Sequence, residues 1–210
     1  MDNLRKWFAV TVVCGFSTFI SYSLAIFGPL PDKISIILAL AFGPFFLVTT
    51  VGLYHIIKAG RDSIELRLAA VFCIVATAML TCMLVVQLAI QDFHQKFMSM
   101  EKTGVTNEQL KWMFKEVNSV QLGLDIVWDI FIGLGTFFLA IAMYKHPSFN
   151  KIISVLGMSV AILLLAFNLA YFPEPPGEAG SIDFGPFTAL WYLALLFWML
   201  VKRKSILAAG

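Results

Sequence analysis

Charge is what this chain has least of. Only 13% of its 210 residues are Asp, Glu, Lys or Arg, and 60% are hydrophobic. A soluble domain carries about 25% charged residues. Histidine is scarce too. His55, His94 and His146 fall on different gaps between apolar runs, which argues against a multi-histidine metal centre. The three cysteines, Cys14, Cys73 and Cys82, lie inside apolar runs without metal-ligand spacing and read as small hydrophobes. There is no Gly-rich phosphate loop, nucleophile elbow or haem-attachment Cys pair. No apolar run carries the Arg ladder of a voltage sensor. The basic patch on a soluble face that a nucleic-acid partner needs is missing as well. No cofactor, metal or nucleic acid is therefore expected.

What fills the chain instead is a series of apolar stretches. About 20 such residues suffice for a helix to cross the hydrocarbon core of a bilayer. Six candidates run Trp7–Phe27, Ile34–Ile57, Leu66–Ile90, Leu122–Tyr144, Ile152–Phe172 and Pro186–Val201. The gaps are too short for a water-soluble core. The expected fold is all-α: a polytopic membrane helix bundle of six transmembrane helices in a single integral membrane domain, 1–210. The first run is too long for the 7–15-residue core of a secretory signal and reads as an uncleaved span.

Basic residues collect in every second gap. Arg5 and Lys6 precede the first span, and Lys58, Arg61 and Arg67 surround the second gap. Lys145 and Lys151 flank the fourth, and Lys202, Arg203 and Lys204 follow the sixth span. The first gap has only Lys33, beside Asp32; the fifth has no Lys or Arg but holds Glu174, Glu178 and Asp183. The positive-inside rule then places both termini in the cytoplasm of a cell-membrane protein. The third gap, about 91–121, is nearly balanced: Lys96, Lys102, Lys111 and Lys115 against Glu101, Glu108 and Glu116.

That gap is also structured. Thr106-Asn107-Glu108-Gln109 has the form of a capping box. Leu110, Phe114, Val117, Leu124, Trp128 and Phe131 then repeat with helical spacing into the fourth span. The pattern predicts one helix from Asn107 to Tyr144, about 57 Å long at 1.5 Å per residue, against a hydrocarbon core of about 30 Å. Phe97, Met98, Met100, Trp112, Met113 and Phe114 suit an interfacial segment or a lid over the outer mouth. Gly43-Pro44 inside the second span reads as a packing kink, and Phe172-Pro173-Glu174-Pro175-Pro176-Gly177 as an ordered turn or an extended segment without helix. The chain shows no internal repeat of the kind found in inverted-repeat transporters.

Polar residues on the fourth helix are not scattered. At 100° per residue, Asn118, Gln121, Asp125, Asp129 and Thr136 share a sector of about 80°. Asp125 and Asp129 are four apart, so their carboxylates are neighbours. Two ionised carboxylates this close repel, so at least one holds a proton near neutral pH unless a cation lies between them. Other spans offer Gln87, Gln91, Asp92 and His94, then Ser17, Thr18, Ser21 and Tyr22, then Asn168 and Tyr171. Convergence of these faces would form an outward-opening polar cavity. The candidate ligand-binding residues are Asp129, Asp125, Gln87, Gln91, Gln121 and Asn168, for a small molecule or an ion. Residues such as Gln87, Gln91 and Asn168 are more often hydrogen-bond glue between helices than ligand contacts. His94 reads as a solvated loop residue, and Trp191/Tyr192 and Phe197/Trp198 as aromatic-belt or lipid-facing pairs.

Leu68-Ala69-Ala70-Val71-Phe72, Phe131-Ile132-Gly133-Leu134-Gly135 leading to Tyr144-Lys145, and Phe149-Asn150-Lys151-Ile152-Ile153-Ser154-Val155-Leu156-Gly157 form a pattern of small and apolar residues at helix starts. It resembles the DUF4386 family of uncharacterised bacterial membrane proteins, mainly over spans three to six. The resemblance implies a six-span membrane domain of about this length. It carries no activity and no site residues. Three functions stay open: a small-molecule or ion binder, transporter or sensor; a structural or partner-binding membrane protein, with a homo-oligomer among its forms; and, ranked last, an intramembrane enzyme using the Asp pair, since no nucleophile or metal set stands beside it.

Overall fold

The computed structural model describes residues 2–99 and 106–208. Met100, Glu101, Lys102 and the Met98 side chain, named above, lie outside the described residues. Among the described residues, seven helices follow one another: α1 Asp2–Phe27, α2 Asp32–Gly60, α3 Ile64–Ser99, α4 Asn107–Tyr144, α5 Lys151–Tyr171, α6 Gly185–Val201 and the short α7 Arg203–Ala208. No strand occurs among the described residues. Helices α1 to α5 are long and apolar enough to cross a membrane. Helix α6 is apolar but has 17 residues, about 25 Å, the short end of what a span needs.

Local chemistry sets the ends. Thr106 Oγ1 accepts from the Gln109 N–H at 3.3 Å, and Gln109 Oε1 accepts from the Thr106 N–H at 2.9 Å, so the capping box is complete and α4 is one 38-residue helix. Asn150 Oδ1 caps α5 by accepting from the Ile152 N–H at 2.7 Å. Pro186 occupies the first turn of α6, where its missing N–H costs nothing. Helix α2 runs on through Pro44, and Gly43 beside it lies against Thr81 of α3, which supports the packing role of that dipeptide.

Consecutive helices pack on one another, α1 on α2 through α5 on α6, and α1 on α6 closes the ring. The fully buried Leu53, Ile56, Ile57, Leu66, Ile132, Met143, Leu164, Leu195 and Met199 fill its centre. One end of the bundle gathers the basic segments. Arg61 Nη1 donates to the Lys145 carbonyl at 3.0 Å, and Lys145 Nζ pairs with Glu65 at 2.5 Å. Ser148 Oγ donates to the Ser205 carbonyl at 3.5 Å, and Arg203 lies 6.0 Å from the Phe8 ring centre. The starts of α1 and α7 therefore share an end with the second and fourth connections. There the Arg67 guanidinium, hydrogen-bonded to Asp62 at 2.7 Å, holds that carboxyl below the usual carboxylate range.

Two expectations need correction. The helix that carries the third span, Leu66–Ile90, runs on to Ser99, because Val86, Ile90, Phe93 and Phe97 keep the apolar spacing. His94 is thus on a helix, its ring 4.3 Å from that of Phe114 on α4. Trp191 and Tyr192 do not face lipid; both are buried. Trp191 Nε1 donates to the Ile153 carbonyl at 2.7 Å, and the Tyr192 hydroxyl lies 3.1 Å from Thr136 Oγ1 and 3.7 Å from Cys73 Sγ. An uncharged helix that is apolar all round gives no sign of which face turns inward.

Candidate functional site

The polar residues of the end opposite the basic segments fall into two groups. The first surrounds a cavity of about 320 Å³ between α1, α2 and α3. Its polar wall is Tyr22 from α1, Asp32 and Ser35 from α2, and Gln87, Gln91, Asp92 and Gln95 from α3. Gln87, Gln91 and Gln95 recur every four residues and so occupy one face of α3. Asp92 is paired with Lys96 at 2.6 Å. The hydroxyls of Thr18 and Ser21 donate to carbonyls of their own helix, at 2.9 and 3.1 Å.

The second group lies between α4 and α5. Asp129 is 4% exposed and Asn168 1%. Asn168 Nδ2 donates to Asp129 Oδ2 at 2.8 Å and to the Leu164 carbonyl at 3.0 Å. Asp129 lies about 22 Å along α4 from Tyr144 at 1.5 Å per residue, well within the apolar length. Asp125, one turn further out, is half-buried. Asp183, exposed in the α5–α6 connection, accepts from the Gly185 N–H at 2.8 Å and is close enough to interact electrostatically with both aspartates.

Of the six candidates, then, Asp129 and Asn168 meet directly, with Asp125 above them. Gln87 and Gln91 line the separate cavity. Gln121 turns to α3, where its Nε2 lies 3.3 Å from Met83 Sδ. Tyr22 links the two groups, since it lines the cavity and interacts electrostatically with Asp125. Asp32, Ser35, Gln95 and Asp183 were not among the candidates. The four-residue spacing of Gln87, Gln91 and Gln95 was a signal for one of them, and Asp183-Phe184-Gly185-Pro186, a helix start, for another. No group of His, Cys, Asp and Glu among the described residues has the arrangement of a metal site.

A closed ring of long apolar helices, with polar groups gathered at the end away from its basic connections, is compatible with a polytopic helical membrane bundle. Residues 33–202 match the family described as a domain of unknown function (DUF4386), and the chain belongs to that family. The match takes in α2 through α6, reaching further toward the N-terminus than spans three to six; α1 lies before it and α7 after it. No curated protein and no solved structure matches the chain.

Proposed function

We propose that this is a multi-pass protein of the bacterial cytoplasmic membrane, one membrane domain with both termini inside, which binds a small polar molecule or ion from the outside. The basic segments at one end support that orientation. The cavity at the other end carries the proposal. Its volume lies within the usual range for small-ligand pockets. Its amides and carboxylates favour a ligand with hydrogen-bond donors or positive charge. Gln87 and Gln91 would contact that ligand, and Asp125 would act on it across Tyr22. Asp129, Asn168 and Gln121 would hold α4 against its neighbours at that depth.

A thermal-shift screen of detergent-purified protein against a cation and small-molecule panel tests this. A ligand that stabilises the wild type should fail to stabilise Gln87→Leu/Gln91→Leu. Equal stabilisation of the two proteins would rule the cavity out as the site.

The Asn168–Asp129 bond favours a second reading, in which the polar residues join helices and no ligand is bound. An interhelical hydrogen bond in a membrane is worth about 0.6–2 kcal/mol. Asp129→Leu would then lower the melting temperature while the panel left both proteins unshifted.

A further inference from the structure

The α4–α5 pair has a feature that the cavity does not explain. Both N–H groups of Asn168 are engaged, one with Asp129 Oδ2 and one with the Leu164 carbonyl. The remaining oxygens, Asp129 Oδ1 and Asn168 Oδ1, are both buried and have no hydrogen-bond partner among the described residues. An ionised carboxylate only accepts, and so does an amide oxygen, so neither can satisfy the other. Two buried acceptors left this way are costly. A single proton on Asp129 Oδ1 turns one of the two acceptors into a donor, on a carboxyl already bonded to the Asn168 amide through Oδ2. A carboxylic acid and a primary amide can then close a ring of two hydrogen bonds.

The charges nearby point the same way. Among the described residues, the groups that interact electrostatically with Asp129 are Asp125 on its own helix, Asn168 on α5 and Asp183 in the α5–α6 connection, and no cation is among them. Apart from Arg67 at the start of the third, the six apolar stretches contain no Lys or Arg at all. A buried carboxylate without a countercharge is relieved by taking a proton. A hard metal ion is a poor alternative, because it seeks about six or more oxygens, and two unpartnered buried ones occur here among the described residues.

We propose that Asp129 is a proton-binding site: its Oδ1 carries a proton donated to Asn168 Oδ1, making a neutral acid–amide pair between α4 and α5. The site stands whether or not the neighbouring cavity holds a solute.

Infrared spectroscopy of the full chain in liposomes tests it, across pH and in sodium or choline salts. At neutral pH the wild type should show the carbonyl stretch of a buried protonated carboxylic acid, shifted by deuterium exchange. Asp129→Asn should lack that band. Asp125→Asn, which leaves the pair intact, should keep it, and this decides the matter should Asp129→Asn fail to fold. Asn168→Leu should move the band, because the acceptor of the proton is gone. The proposal is overturned if the wild type shows no such band, if Asp125→Asn abolishes it, or if it emerges only when choline replaces sodium, which would mean a bound cation.

Discussion

Thr11 and Gly52 show how closely α1 and α2 approach. A methyl group built at Gly52 would overlap Thr11 Oγ1, which already donates to the Trp7 carbonyl at 2.6 Å. Small residues at such crossings let backbones come together where lipid offers no hydrophobic drive. Gly52→Ala should destabilise the protein by about 1–3 kcal/mol, the usual cost of overpacking. A lowered thermal midpoint in detergent checks this; an unchanged one would mean that Thr11 moves aside freely. Tyr192→Phe removes the hydroxyl between Thr136 and Cys73. It should cost about 0.6–2 kcal/mol, the range for hydrogen bonds between membrane helices, in the same measurement. At this scale Asp129 was legible in advance, because a carboxylate inside an apolar run is conspicuous. The inward turn of Tyr192 was not, because nothing around it in α6 is polar enough to mark the outer face.

Helix α4 was legible as an element from end to end, since its capping box and apolar spacing are both local. Thr106→Ala removes the cap and should destabilise the first turn by about 1 kcal/mol. Amide exchange should then quicken at Glu108, Gln109 and Leu110, with the overall melting temperature little changed. That turn belongs to a projecting pair of helix ends, where α3 and α4 flank an apolar groove lined by Ile90, Phe93, His94, Phe97, Leu110 and Phe114. A uniform rise in exchange along the whole of α4 would contradict this local reading. The continuation of α3 was hidden because Gln91, Asp92, His94, Gln95 and Lys96 look like a loop by composition. Their apolar neighbours, Phe93 and Phe97, carry the helical period beneath them.

For the molecule as a whole, the basic end offers a pH test. The His146 ring lies against Gly60, with the Ser148 N–H donating to its Nδ1 at 3.1 Å and its Nε2 buried without a hydrogen-bond partner among the described residues. Burial first, and then the Arg61 charge, hold its basicity below the ordinary value of 6.5. The unfolded chain therefore takes up this proton before the folded one does. The stability owed to neutral His146 is complete above about pH 6.5 and falls as the pH drops toward the folded value. Thermal midpoints between about pH 7.5 and 5 should decline in the wild type and decline less in His146→Gln. Matching declines would remove His146 as the cause.

Helix positions, the asymmetry of Lys and Arg and the cap of α4 could all be read along the chain, because each depends on neighbours a few residues apart. The grouping of polar residues could not. Gln87 and Gln91 open on α1 and α2, Gln121 meets Met83, and Asn168 reaches Asp129. Those meetings depend on which helices are adjacent and how each is rotated about its axis. Packing between apolar faces sets both, and for helices that are apolar nearly all round the residue pattern carries almost no record of it.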